Sequence, residues 1–573
     1  MNRRIWKALG IAVCMLALAA PRAMAETHEV ESEAKFKDAV EEINKSGDTK
    51  NEIILTQSFT LKGNYILTNS KTTTIKTTTI KGEGHTIFVE PNAGITVTGK
   101  GNVLNLGAEG YKGTLTIDGD TGVAFITVSG EATANMYENV TLQNRMFTGN
   151  AYVLVTGSDP DTRSKSVFNM KGGVIEGGSR AVIAQSGATF NMSGGEIRNC
   201  KGGSGGGVHV YEATFVMSGG TISGCSASNG GGLCAEKSST VTITGGTISE
   251  CKGLLGGGLY ADNSAIEISG GVISGCKEIG AGGGLYVVGS TLNIKGGIIS
   301  ECTTSDTGNG GGLYAKNSTI KITGGRIENN KAALGGGVAL IGDTTFEKPI
   351  TNWTVIGNEA YATGGVGGGI KLENGSMDVS AGSNRIYNNT AGGQGADIFL
   401  LGSSTIRLPN AANMGAKYHD SGIYIDGWYK DDNPRYRPSK DGKPVENLQL
   451  SGPLSLVASY KAIPVRIVID ANGVKGGSGS QTVQKGTNVT LEAPTKEGHL
   501  FTGWKDEKGN SYPAGEDGKV KITVTGDMTL TAEWKKLPSA ENLPKTGDES
   551  PVLLWGAALA VSAAACFMLR RRK

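Results

Sequence analysis

Thr240-Val-Thr-Ile-Thr-Gly-Gly-Thr-Ile-Ser-Glu-Cys251 runs on through Lys252-Gly-Leu-Leu-Gly-Gly-Gly-Leu-Tyr260, and the same order of residues then returns. Ala265-Ile-Glu-Ile-Ser-Gly-Gly-Val-Ile-Ser-Gly-Cys276 leads to Gly282-Gly283-Gly284-Leu285-Tyr286. Thr291-Leu-Asn-Ile-Lys-Gly-Gly-Ile-Ile-Ser-Glu-Cys302 leads to Gly310-Gly311-Gly312-Leu313-Tyr314, and Thr214 to Cys225 opens an earlier copy. The period of roughly 25 residues is that of a solenoid. Apolar and polar residues alternate inside each copy, as in Val241-Thr242-Ile243-Thr244, which is the period of a strand. Glycine pairs and triplets break the alternation, so each copy reads as three short strands joined by tight bends. Stacked at about 4.8 Å, such copies build a parallel β-helix. A helical solenoid is excluded, because no segment of the repeat has a helical period or the Ala/Leu content a helix wants. A leucine-rich repeat would need L-x-x-L-x-L, which is absent.

Composition agrees. The 573 residues include 90 glycines, only 6% are aromatic, and no G-X-Y period is present, so neither a core of large side chains nor collagen is expected. A net charge of +2 gives no argument for nucleic acid or for electrostatic binding to membranes. Thr73 to Val128 carries Thr, Ile and Val between glycine bends and joins the same solenoid. Ala34 to Asn44 is amphipathic, with Phe36, Ala39, Val40 and Ile43 on one helical face. A helix there would cover the open end of the first coil and block edge-to-edge pairing. From Tyr418 to Pro453 the repeat dissolves into a charged, aromatic stretch, read as the far cap.

Cys200, Cys225, Cys251, Cys276 and Cys302 occupy one repeat position and should stack in a column. Parallel side chains in register point the same way and hold their Cβ atoms wider than a disulfide prefers. An inward ladder of free thiols, packed as small hydrophobes, is expected. Ile222 and Cys225 can both face inward only if the chain bends between them, and Gly224 is the expected bend. No C-x-x-C spacing and no histidine partner supports a metal on this ladder. His28, His85, His209, His419 and His499 show no triad or metal spacing. The expectation is no metal, no cofactor and no catalytic residue.

The units Gly-Gly-Gly-(Leu/Val/Ile) and Ile-x-x-(Cys/Asn), with Asn at Asn330 and Asn389, resemble the repeats of polymorphic outer-membrane-protein β-helices. That resemblance implies a right-handed parallel β-helix in a surface setting. Further on, Pro494, Gly498, Phe501, Gly503 and Trp504, then Ala532 and Trp534, follow the pattern of the internalin-type B-repeat. The likeness implies a small β-grasp-like module of surface-protein stalks. Trp504 and Trp534 are then read as packed core residues rather than a carbohydrate platform.

Both chain ends carry sorting signals. Met1 to Lys7 is basic, Ala8 to Ala20 is apolar, and Ala23 and Ala25 suit signal peptidase, so cleavage is expected between Ala25 and Glu26. Leu543-Pro544-Lys545-Thr546-Gly547 precedes an apolar run from Val552 to Leu569, about long enough to cross a bilayer, and a basic terminus that stays cytoplasmic. This resembles the L-P-x-T-G signal of Gram-positive surface proteins. It implies that a sortase cleaves between Thr546 and Gly547 and joins Thr546 to peptidoglycan.

The expected organisation is a signal peptide over 1–25, an N-terminal cap over 26–48 and a parallel β-helix over 49–417. A C-terminal cap over 418–463, a B-repeat over 464–536, a linker with the sorting motif over 537–547 and a removed tail over 548–573 complete it. The fold class is all-β, with a single-stranded parallel β-helix of three short strands per coil followed by a small β-grasp-like domain.

An enzyme is disfavoured. Gly84-His85 lacks the following glycine of a polygalacturonase-like G-H-G, and Arg326-Ile327-Glu328 carries the wrong charge for R-I-K. Asp118 with Asp120, and Asp159 with Asp161, sit beside Gly or Pro as turn residues do. Tyr260, Tyr286 and Tyr314 recur at one repeat position, with Cys234 one coil earlier. Beside the better core residues Leu259, Leu285 and Leu313 they are expected to face outward and offer a surface for sugar stacking. The expected function is a cell-wall-anchored adhesin that binds an extracellular glycan or host protein. The alternatives are a β-helix polysaccharide lyase or glycoside hydrolase, or a structural spacer. The expected partners are sortase and peptidoglycan, with membrane contact only before sorting and no nucleic acid.

Overall fold

The computed structural model describes residues 25–537, apart from 70–73, 120–123, 145–150, 158–164, 179, 348–349, 380–383, 394–395, 408–422, 431–438, 441–442, 445–448, 452–453, 463, 475–477, 485–486 and 516. The signal-peptide residues up to Met24, the sorting motif and the apolar tail lie outside the described residues. Among the described residues no helix is long and apolar enough to cross a membrane.

The first compact unit is a parallel β-helix whose three long sheets run along its axis. Sheet I runs through thirteen described strands from Glu26–Val30 to Thr345–Glu347, and sheet II through thirteen from Phe59–Leu61 to Arg385–Tyr387. Sheet III starts at Asn64–Leu67, runs in parallel to Ile398–Leu401, and is then met by the antiparallel strand Leu454–Ala462. As far as Thr345–Glu347 each coil gives one strand to each sheet, and residues of equal repeat position become register partners; beyond it Ser376–Asp378 and Thr405–Arg407 pair in a separate short sheet. Val241, Ile266, Leu292 and Ile320 line up in sheet I, and Ile248, Ile273, Ile299 and Ile327 in sheet II. Leu259, Leu285, Leu313 and Val338 line up in sheet III. These three apolar columns are buried and form the core. Alternation within a strand becomes alternation between core and surface because strand side chains point to opposite faces in turn. In earlier coils Phe168, Phe190 and Phe215 stack inside at centroid distances of 5.3 and 5.1 Å.

The ladder of thiols is present. Cys200, Cys225, Cys251, Cys276 and Cys302 are buried and unpaired. Each thiol points back to the carbonyl of the core isoleucine one coil earlier, as Cys302 Sγ does to Ile273 O at 3.8 Å. The residue before each ladder position turns through positive φ, at Gly224 as expected (φ 60°) but also at Glu250 (55°) and Glu301 (56°). The same column continues as Asn330, Asn358 and Asn389 and ends on the buried Asp397.

The N-terminal helix, Glu33–Lys45, is capped by Ser32, whose hydroxyl accepts from Lys35 N. It buries Phe36, Ala39, Val40 and Ile43 against the first coil, with Phe36 against Phe59 and Tyr65.

One feature departs from three strands per coil. Between the ladder and the glycine triplet, Lys201–Ser204, Ser226–Asn229, Lys252–Leu255 and Lys277–Ala281 pair into a fourth, narrow sheet. The connection is long enough here to reach its counterpart in the next coil, and backbone groups that can pair do so.

The second unit, from Ala462, is a mixed five-stranded sheet in the order Gly479–Gln484, Pro464–Asp470, Met528–Lys536, His499–Asp506, Ser511–Pro513. A two-stranded sheet of Asn488–Leu491 and Val520–Thr523 accompanies it. Its core is Val465, Ile467, Leu491, Trp504, Val520, Ile522, Val524, Met528, Leu530 and Ala532. Trp504 is therefore a core residue, and Trp534 packs at the margin beside Phe501 with Lys496 over its ring.

Candidate functional site

The outward face of sheet III holds the candidate site. Its register sets one column as Ile66, Thr96, Thr127, Leu154, Ile183, His209, Cys234, Tyr260, Tyr286 and Tyr314. The column changes character where the fourth sheet begins.

On the later coils, Leu259, Leu285 and Leu313 face the core, so the tyrosines do point away from it. They are not an exposed platform, which corrects the sequence expectation for Tyr260, Tyr286 and Tyr314. Tyr260 is 8% exposed and Tyr314 9%, and Tyr286 is partly buried. The rings stack on one another at 5.4 and 4.8 Å, near parallel, so the faces a sugar would need are occupied. Ala281 of the fourth sheet closes over them, together with Ala339 and Ile341. Burial pushes all three phenols up in pKa. The ladder is a second, small core between two sheets.

Glu278 is the ionisable residue beside Lys277 on the strand that carries Ala281. It is buried, its carboxylate accepts from Gly280 N, and one carboxylate oxygen has no hydrogen-bond partner among the described residues. Burial pushes its pKa up to about 8, against the amides of Gly280 and Ala281 that pull it down. The folded chain thus holds a proton that the unfolded chain has released between pH 4.5 and about 8. Stability from this group is fully present below the lower value and is lost as pH rises through the upper one. Glu278→Gln is expected to leave the melting temperature at pH 4 nearly unchanged and to raise it at pH 9. Parallel wild-type and variant profiles across that window would show the carboxyl to be inert.

On the earlier coils the face is open. A cleft of about 640 Å³ is lined by Asn64, Asn92, Thr96, Thr127, Leu154, Arg180, Ile183, Gln185, His209 and Tyr211. Its polar walls are amides and hydroxyls together with Arg180 and His209, and Thr96 Oγ1 donates to Asn64 Oδ1 at 3.2 Å. Tyr211 is 37% exposed and stands edge-on to His209, ring centroids 6.2 Å apart. A groove of about 700 Å³ also follows the turns between sheets III and I, past Lys165, Glu212 and Lys237. It is lined largely by turn residues, several at positive φ.

The end of the cleft holds what sequence reasoning missed. His209 Nε2 lies 2.9 Å from Glu236 Oε2, and Cys234 stands beside both. Burial lowers the pKa of His209 against the raising effect of Glu236, and burial raises that of Cys234. His209 has Glu236 as a partner, which the lack of triad or metal spacing among the histidines did not indicate. The signal lay in the repeat: His209 and Cys234 share a position one coil apart.

Comparison with known proteins gives a match within the second unit. Residues 463–538 match the family described as the divergent InlB B-repeat domain. No curated protein and no solved structure gives a significant match to the chain.

Proposed function

We propose that this chain is a secreted, wall-anchored adhesin whose β-helix binds an extracellular glycan in the cleft of sheet III. A β-helix followed by an InlB-type B-repeat is consistent with a surface protein. Export with cleavage after Ala25, and sortase transfer of Thr546 to peptidoglycan, rest on the sequence of the two ends. The cleft is the observation that supports the glycan reading. Asn64, Asn92 and Gln185 offer amide donors and acceptors for sugar hydroxyls, and Tyr211 offers a half-open aromatic ring. A groove parallel to the axis admits a chain ligand rather than a compact one.

The test is a glycan and mucin array probed with the chain from Glu26 to Thr546, with product analysis of every hit. Binding without turnover is expected, weakened about tenfold by Tyr211→Ala, equivalent to ~1.4 kcal/mol. Release of reducing sugar or unsaturated product would overturn the adhesin reading in favour of an enzyme. Absence of binding throughout would make the β-helix a spacer.

A further inference from the structure

Where the open cleft meets the fourth sheet, three different donor side chains converge. Cys234 is the register partner of His209 in the next coil, and Glu236 is the partner of Tyr211. Register partners in adjacent parallel strands stand about 4.8 Å apart with side chains on one face. Glu236, two residues beyond Cys234, shares that face. One donor atom each from His209, Cys234 and Glu236 lies within 4.8 Å of the other two. The side chains of His209 and Glu236 are 14% and 21% exposed, and Cys234 is fully buried.

We propose that His209, Cys234 and Glu236 bind one divalent cation of borderline softness, zinc by preference. The donor set is one nitrogen, one sulfur and one oxygen, which suits zinc over calcium or magnesium, both of which want oxygen throughout. In a tetrahedral site with bonds of about 2.0–2.3 Å, donor atoms sit roughly 3.3–3.8 Å from each other. The 2.9 Å separation of His209 and Glu236 is a hydrogen bond across the space an ion would take, and small side-chain rotations open it. Two neighbouring strands hold all three donors, so little ordering remains to be done on binding. Cys234 differs from the equally buried thiols of the inner ladder in standing beside a histidine and a carboxylate.

Charge balance favours the same ion. On binding, the Cys234 thiol gives its proton to solvent, and thiolate and carboxylate then balance the two positive charges of the ion. Arg180 lines the same end of the cleft, and its Nε is buried without a hydrogen-bond partner among the described residues. This added positive charge favours an anionic fourth ligand, a hydroxide or a carboxylate. The metal site does not depend on the glycan reading.

Cobalt(II) reports the site directly. The full chain from Glu26 to Thr546, stripped with EDTA and titrated under argon, is expected to take up one equivalent of Co²⁺. A thiolate-to-cobalt charge-transfer absorption should appear and be displaced by Zn²⁺. Cys234→Ser should remove that absorption and His209→Gln should weaken binding at least tenfold, while Cys251→Ser, on the inner ladder, should retain it. Circular dichroism of the metal-free variants checks folding, and the affinity of His209→Gln decides between the outcomes should Cys234→Ser not fold. No stoichiometric uptake by the wild type, or an absorption that survives Cys234→Ser, overturns the proposal.

Discussion

Asn358→Leu is expected to destabilise the solenoid by about 3–5 kcal/mol, whereas Asn358→Cys at the same place is expected to lose only about 1 kcal/mol. Asn358 is fully buried and is the middle rung of the column. Its Oδ1 accepts from Asn330 N and from Asn330 Nδ2, both at 3.0 Å. Its Nδ2 donates to Ile327 O and Asn389 Oδ1 at 3.0 Å and to Ile356 O at 3.1 Å. Leucine is close in volume, so the loss is one of hydrogen bonds rather than packing. It strips partners from the Asn330 amide and the Ile327 carbonyl, each buried, and a buried unsatisfied group costs about 1–3 kcal/mol. Cysteine already fills this role in five coils of the same column. Cys302 Sγ reaches Ile273 O at 3.8 Å and Ser300 O at 3.2 Å, and the Cys276 thiol is in turn held by the Cys251 amide. The two residue types are therefore one solution at two strengths, with the amide rungs nearer the end that Asp397 closes. Urea unfolding of the three chains checks this, and equal midpoints for the leucine and cysteine variants would refute it.

That column marks how far sequence carries. Ile-x-x-Cys and Ile-x-x-Asn recur in step with the glycines, so the coil, its three strands and the inward ladder are all legible in the sequence. The face of the first helix is legible for the same reason: Phe36, Ala39, Val40 and Ile43 recur at helical spacing. The fourth sheet is not. Ser226–Asn229, Lys252–Leu255 and Lys277–Ala281 share no apolar alternation. They are held by backbone pairing, which leaves little trace in side-chain pattern. Reading Leu259 inward and Tyr260 outward is sound, yet without that sheet nothing says the tyrosines are covered. His209, Cys234 and Glu236 are hidden differently. Metal and triad motifs are sought at spacings set by one helix or one loop. Here the spacing is one coil plus two residues, and it becomes a contact only once the register is known.

Gly257→Ala is expected to destabilise the coil from Cys251 to Tyr286 by about 3 kcal/mol or more, and Gly275→Ala by only about 1 kcal/mol. Both are glycines of the same repeat, and they are glycines for different reasons. Gly275 turns the chain before the ladder at φ 62°, and a Cβ there meets nothing closer than 3.7 Å. Glu250 and Glu301 fill the equivalent place with positive φ, so a side chain is tolerated at the cost of a strained backbone. Gly257, the middle of its triplet, does not need positive φ, but a Cβ there would lie 2.6 Å from both Gly283 O and Lys277 O. Those are backbone atoms of the next coil, and they cannot rotate away. Relief requires the coils to separate locally, which strains the bonds from Gly257 N to Gly282 O and from Leu259 N to Gly284 O. Overpacking of this kind typically costs about 1–3 kcal/mol, and each broken backbone bond adds about 1 kcal/mol. Gly231, Gly283 and Gly311 meet the next coil just as closely, so the effect belongs to the position and not to one coil. Hydrogen exchange localised to residues 251–286, together with urea midpoints, distinguishes the two variants. If Gly275→Ala proved the more damaging, the triplet would be a conformational device, and close stacking of coils would not be what selects it.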